Sequence, residues 1–272
     1  MSEEKTITQF PPELIELPSK GLAYTEDNPL SKGSVEMNLM TAKEEDILTS
    51  PNLLRSGTMI DKVLQSMLVT KFDYDTLLSG DKDMLMFAAR ILGFGPEYEF
   101  KVKCPHCDKS TMLSVDLTDI PYKDIDYTQL KRDNEYTFEL PSKNVITFRL
   151  NTVAIEKEIE AELQGLEKML SLGKFDKTVA KQREENEVKK DYTTRLKHII
   201  TSVNGDKTQK TIRTFVDSML TRDTTAFKKY LAKITPGLDL NINYECSNSE
   251  CRVVNDFRIP MTDQFFWPTF GA

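Results

Sequence analysis

Polar and apolar positions change their rhythm several times along this chain, and each rhythm predicts a different element. From 41 to 95 the rhythm is helical. Thr41-Ala42-Lys43-Glu44 is a capping box, a threonine N-cap with a glutamate three residues on. It opens a helix through Ile47 and Leu48. Ser50-Pro51 restarts a helix with proline at the first helical position, where a missing N–H is tolerated. Met59, Ile60, Val63, Leu64, Met67 and Leu68 then share one helical face. Asp73 or Asp75 starts a short turn through Leu77 and Leu78. Gly80-Asp81 is expected to cap a further helix through Met84, Leu85, Phe87, Ala88, Ile91 and Leu92, which Gly93, Gly95 and Pro96 end. The methionines of this unit read as core filler.

On either side the rhythm is different. In residues 1–40, Pro11-Pro12, Pro18, Gly21, Pro29 and Gly33 break any helical period, yet Phe10, Leu14, Ile15, Leu17, Leu22 and Tyr24 are apolar. An apolar, non-periodic arm lies across a surface, its own or a partner's. Ser34-Val35-Glu36-Met37-Asn38-Leu39 alternates like a strand. Further strands are expected at about 98–103 and 110–117, and a hairpin joins Tyr136–Leu140 to Val145–Leu150 through Pro141-Ser142-Lys143-Asn144.

Residues 152–235 return to helix. Ile155, Ile159, Leu163, Leu166 and Leu170 form one stripe, Gly173 breaks it, and Val188, Tyr192, Leu196, Ile199 and Val203 form a second. Two narrow stripes about a turn predict a helical hairpin with solvated charged faces and His198 at its boundary. Ile212, Phe215, Val216, Met219 and Leu220 mark another helix. Asp223 is expected to cap a last one, through Phe227, Tyr230, Leu231 and Ile234, and Pro236-Gly237 stops it. Strands return at Asn241–Tyr244 and Val253–Ile259. Phe265, Phe266, Trp267 and Phe270 then crowd the final segment, as a plug against the chain's own helices or an anchor in a partner.

The predicted class is α+β. An extended arm (1–40) precedes a helical unit (41–95). A small antiparallel sheet region is built from 96–151 and 238–272, and a long helical insertion (152–237) separates its halves.

Composition narrows what such a chain does. Of 272 residues, 36 are lysine or arginine and 43 aspartate or glutamate, a net charge of −7. An acidic chain is poorly suited to broad nucleic-acid binding, which needs surplus cations against phosphate. No apolar run approaches the ~20 residues that span a bilayer, and Met1-Ser2-Glu3-Glu4-Lys5 does not read as a targeting signal.

The four cysteines carry the candidate chemistry. They fall as Cys104-Pro105-His106-Cys107 and Cys246-Ser247-Asn248-Ser249-Glu250-Cys251, each beside a strand-like run. Two short-spaced pairs, each at a turn, suit one tetrahedral thiolate site for Zn2+. With four sulfur ligands no position stays open for substrate, so the ion is a structural staple contributing on the order of 10 kcal/mol to folding. Two disulfides or free buried thiols are the alternatives. His106 can replace a cysteine or point outward.

No glycine-rich loop opens a helix after a strand, since Gly93-Phe94-Gly95 follows one. With only His106 and His198, a histidine acid–base pair is not expected, and no serine sits in a nucleophile elbow. The expectation is a protein without enzymatic activity.

Several segments together resemble a known family. Leu17-Pro18-Ser19-Lys20-Gly21-Leu22-Ala23-Tyr24, Met40–Ser50, Leu78-Ser79-Gly80-Asp81, Arg90-Ile91-Leu92-Gly93-Phe94-Gly95, the Cys104–Cys107 knuckle, Ile259-Pro260 and Phe265-Phe266-Trp267-Pro268 look like the baseplate-hub and hub-assembly proteins of T4-like contractile-tailed bacteriophages. The resemblance covers roughly 17–120 and 240–270. It implies a role in virion assembly, in the host cytoplasm or in the tail baseplate itself, with other hub and tail proteins as partners. The other reading of the residues is a zinc-ribbon module that binds nucleic acid through Lys101, Lys103 and Lys109.

Overall fold

The computed structural model describes residues 10–172, 191–261 and 263–266. At the N-terminal side, β1 (Glu13–Glu16) pairs antiparallel with β2 (Ser34–Met37), Ile15 opposite Val35. The intervening loop folds inward and buries Leu17, Ala23, Tyr24 and Leu30. Residues 17–37 therefore lie on the chain's own core. Gly21 makes the turn with φ +74°, and a Cβ there would collide with the Ser31 carbonyl.

The helical rhythm of 41–95 becomes α1 (Ala42–Leu48), α2 (Pro51–Ser56), α3 (Met59–Met67) and α4 (Ser79–Phe94). At the head of α1, Glu44 accepts the Thr41 N–H at 3.0 Å and its hydroxyl at 2.6 Å, and also bonds Ser66. Met59, Val63, Leu64 and Met67 are the buried stripe of α3. Asp73 caps the 3-10 turn Tyr74–Thr76 by accepting the Asp75 N–H at 3.1 Å.

Gly80-Asp81 does not cap α4. The N-cap is Leu78, and Asp81 is the third helical residue. Its fully buried carboxylate turns to the N-terminal loop instead. It accepts the Ser19 N–H at 2.9 Å, the Ser19 hydroxyl at 2.7 Å and the Tyr24 hydroxyl at 2.6 Å. The Tyr24 oxygen in turn accepts the Leu78 N–H. Burial raises Asp81's pKa, against the pull of these donors. Gly80 is required because a Cβ would meet the Pro236 carbonyl. Asp223 repeats the pattern. It is the third residue of α8 (Thr221–Ile234), 2 % exposed, and accepts the Ser142 N–H at 3.0 Å, so it too reaches across the fold and does not cap.

The strands are all antiparallel and fall into small sheets. β3 (Glu97–Lys103) pairs with β4 (Ser110–Asp116), and β5 (Tyr136–Glu139) with β6 (Val145–Phe148). The helical hairpin begins with α5 (Val153–Leu172) and resumes with α6 (Asp191–Ile199). Gly173 and Val188 lie outside the described residues. The second predicted stripe does not run on as helix to Val203. Residues Ile200–Val203 are β7, which pairs with β6 and completes a three-stranded sheet. Two signals favour the strand. The run from Ile199 is rich in β-branched residues, and Asn204-Gly205, at φ +50° and +86°, supplies a tight turn. α7 (Gln209–Asp217) and α8 follow.

Part of the charged surface of these helices is paired across them and not merely solvated. Arg195 reaches both Glu156 oxygens at 2.8 and 2.9 Å, and Arg213 both Glu162 oxygens at 3.1 and 2.8 Å. His198, a boundary residue, lies between Glu158 and Glu162. Among the described residues no helix is long and apolar enough to cross a membrane.

β8 (Asn241–Glu245) and β9 (Val254–Arg258) form the last hairpin. Beyond it Phe265 and Phe266 are fully buried, with Phe265 against Phe87 and Tyr98 at ring separations of 5.2 and 5.0 Å. These two rings plug the chain's own core; Trp267 to Ala272 lie outside the described residues. Buried Arg90 fixes the plug, donating to the carbonyls of Phe265, Gly95 and Glu97 at 2.9–3.0 Å.

Candidate metal centre

Each cysteine pair sits in the turn of its own hairpin. β3 alternates strictly, with Tyr98, Phe100 and Val102 inward and Glu97, Glu99, Lys101 and Lys103 outward. The two hairpins pack through these inward rings, Phe100 stacking on Phe257 of β9 at 5.8 Å. That contact brings the two turns together across 139–147 residues of sequence.

All four Sγ atoms lie within 4.8 Å of one another. Cys104 faces Cys251 at 4.0 Å, and Cys107 faces Cys246 at 3.5 Å. A disulfide needs about 2.05 Å, so all four are free thiols. Four sulfurs around one zinc at about 2.3 Å would stand roughly 3.8 Å apart, a value that the two facing distances bracket. Cys104 and Cys246, first of each pair, are 1 % and 3 % exposed, whereas Cys107 and Cys251 are partly open. His106 is exposed and not part of the cluster.

The turns are built to hold negative sulfur. In the first, the Cys104 N–H bonds the Lys109 carbonyl; in the second, the Cys246 N–H bonds the Val253 carbonyl. The residue after each second cysteine is left-handed, Asp108 at φ +60° and Arg252 at φ +46°. This swings backbone N–H groups toward the sulfurs. His106 and Cys107 donate to Cys104, Lys109 to Cys107, Asn248 to Cys246 and Val253 to Cys251. Every sulfur thus takes an N–H from the residue two positions on. The longer spacer of the second pair is absorbed by Asn248, whose carbonyl takes the N–H of Cys251 and of Arg252. Asn255, 6 % exposed, adds a side-chain N–H to Cys104 at 3.7 Å.

Proton affinity divides the four. Burial pushes the Cys104 thiol up, but the N–H groups of His106 and Cys107 outweigh it and bring it down to about 6. The Lys109 N–H lowers Cys107. The Asn248 N–H pulls Cys246 down, but burial and the neighbouring sulfurs prevail and push it up to about 12; Cys251 is raised too. Without a cation, four sulfurs this close share protons. A metal ion replaces those protons, and this donor set fits one. The Tyr244 hydroxyl is buried and has no hydrogen-bond partner among the described residues; burial and the charge of all four cysteines raise its pKa.

The three knuckle lysines are differently placed. Lys103 pairs with Asp108 at 2.8 Å and Lys109 donates to the Ser247 carbonyl at 3.3 Å, tying one turn to the other. Lys101 stays exposed on β3. Sequence reasoning found the four sulfurs and missed Asn255 and the left-handed residues. The only available signal was polar, turn-forming composition around each pair. A groove of about 630 Å³ lies elsewhere, lined by residues that include Tyr24, Asp75, Arg149, Glu158, His198 and Lys207, and none of the cysteines borders it.

Comparison with known proteins agrees with the resemblance seen in the motifs as far as the baseplate. No curated protein and no solved structure matches the chain. The model of one family, described as T4 bacteriophage base plate protein, matches residues 22–267. The span takes in Tyr24 and Asp81, both cysteine turns and the aromatic plug, and the chain belongs to that family.

Proposed function

We propose that this chain is a structural or assembly protein of the baseplate hub. It works by protein–protein contacts in the host cytoplasm while tails are built, without enzymatic chemistry of its own. The family match over 22–267 carries this reading, and the hub motifs quoted above narrow it from baseplate to hub. The arm, 10–40, and the segment 260–272 are its contact elements, the arm through the stretch before Leu17, where Phe10 and Leu14 stand exposed, and 41–95 is its compact helical unit. The knuckle region, 96–151 with 238–272, frames the insertion 152–237.

Cys104, Cys107, Cys246 and Cys251 hold one Zn2+ in this reading. The ion supplies cross-linking alone, since sulfur fills all four positions. The supporting observation is the convergence of four free thiols with a backbone N–H aimed at each.

Purification of the tagged full-length protein from infected or co-expressing cells tests the role. Tail components in the eluate are expected, and their absence overturns it. Elemental analysis of protein purified without chelator tests the metal. One zinc per chain is expected, and a zinc-free, folded protein refutes the assignment.

A further inference from the structure

The β1–β2 ladder has one closed edge and one open edge. On the far side of β2, the Val69 N–H bonds the Glu36 carbonyl at 2.9 Å and the Glu36 N–H bonds the Thr70 hydroxyl at 2.9 Å. Glu36 thus points away from β1. In an antiparallel ladder its opposite residue, Leu14, must point away from β2 as well. The same parity applies two residues on, at Glu16. Among the described residues, nothing pairs with the N–H or C=O groups of Leu14 and Glu16 on that outer edge.

The side chains beside this edge are unusual for one facing water. Phe10 is 69 % exposed and Leu14 65 % exposed. Leu14 is within β1, and Phe10 precedes it across Pro11-Pro12. Ile15, on the opposite face, lies across from buried Val35. Glu16 and Glu36 share the face of Leu14, and Glu13 stands exposed on the other face of β1; none of the three forms an ion pair within the described residues. Exposed edges are normally blunted by charge, proline or shortness, and β1 is itself four residues long and preceded by Pro11-Pro12. This one offers unpaired backbone, an apolar ridge and unopposed carboxylates together.

We propose that the outer edge of β1 receives an extended segment of another protein as an added strand. The segment is apolar at alternating positions and carries lysine or arginine beside them. Main-chain bonds to Leu14 and Glu16 set its register, Phe10 and Leu14 cover its apolar side chains, and the three glutamates select its charge. The inference rests on the protein-contact reading above and names the surface and the chemistry of one partner.

The probe is a set of immobilised overlapping twelve-residue peptides from the tail and baseplate proteins of the same phage. Each stands beside a copy with its lysines and arginines replaced by glutamate. Full-length protein is expected to bind a basic subset and not the reversed copies. Amide hydrogen exchange at Leu14 and Glu16 is expected to slow on binding. Leu14→Pro, which removes one outward N–H at an edge where proline is tolerated, is expected to weaken binding at least about tenfold. The Glu13→Lys/Glu16→Lys pair leaves the backbone intact. It is expected to lose the basic peptides at low salt, which keeps the test decisive if Leu14→Pro fails to fold. Binding that leaves the two amides unprotected overturns the proposal, as does equal binding of the reversed copies. A concentration-dependent dimer that Leu14→Pro abolishes assigns the edge to a second copy and overturns it. So do amides already protected in the free protein that lose protection when residues 1–9 are deleted. If Leu14→Pro protein still recovers tail components at the wild-type level, only the edge assignment fails. If the wild-type eluate lacks them, the protein-contact reading itself fails.

Discussion

At Asp81 one buried carboxylate gathers the N–H and hydroxyl of Ser19 and the hydroxyl of Tyr24, inside a helix whose Leu85, Phe87, Ala88 and Ala89 are buried around it. At the cysteine corner four sulfurs from two hairpins face one another, and β4 offers only half-buried side chains on its better face. Both places join segments remote in sequence. The first has abundant apolar mass, so a polar node need only fix which loop docks and in what register. The second is two thin ribbons, and a lone two-stranded hairpin is marginal in water. The difference teaches where a cross-link such as the proposed metal would matter most: where the fold runs out of core.

The largest expected effect tests that directly. Chelation, or Cys104→Ser with Cys251→Ser, should remove stabilisation on the order of 10 kcal/mol from the hairpin pair. Limited proteolysis should then cut within 97–116 and 241–258 first, with the helices of 42–94 outlasting them. Simultaneous loss of both regions would break the contrast.

Asp81→Ala comes next. It strands three buried donors, and a cost of about 3–5 kcal/mol is expected in urea unfolding. Metal content should not change, which shows the two ties to be independent.

A smaller, pH-dependent effect sharpens the picture on the same helix. Burial pushes the Asp83 carboxyl from 3.8 up to about 6, against the pull of Lys123, Arg258 and Lys82, with Glu156 adding to the rise. The folded state therefore holds this proton more tightly than the unfolded chain. The stabilisation from that proton is complete below pH ~4 and is lost as pH rises through about 6. Asp83 is only partly shielded from water, so Asp83→Asn should gain about 1–2 kcal/mol over wild type between pH 4 and pH 8, read from denaturation midpoints.

The smallest is Gly165→Ala on exposed α5, where a Cβ meets nothing within 4 Å. A gain of about 0.5–1 kcal/mol in thermal unfolding is expected. It should leave both ties untouched and sets the scale against which they are large.

The two ties also differ in how far the sequence disclosed them. The cysteines were legible because thiols are rare here and their spacing is a chemical requirement. Thr41 and Glu44 were legible because a capping box is local. Asp81 and Asp223 look like helix caps by the same local logic, and they are not. Each sits at the third helical position, and its partners, Ser19 and Ser142, lie 62 and 81 residues away, beyond any short-range rule. The strand at Ile200–Val203 was hidden by a helical stripe that happened to continue in phase. The β-branched run and Asn204-Gly205 pointed to a strand locally, but the partner that completes it, the free edge of β6, is visible only once the sheet exists.

The distance between the two cysteine turns has a consequence for how the chain is made. Cys107 emerges from a ribosome 139 residues before Cys246. At usual rates of synthesis that is a delay of roughly 7–28 s. During this interval the first turn has only half of the four sulfurs beside it, while everything from Thr41 to Phe94 is already available to fold. Closure of the corner therefore waits until synthesis has passed Cys251, well after the helices of 42–94 have been made.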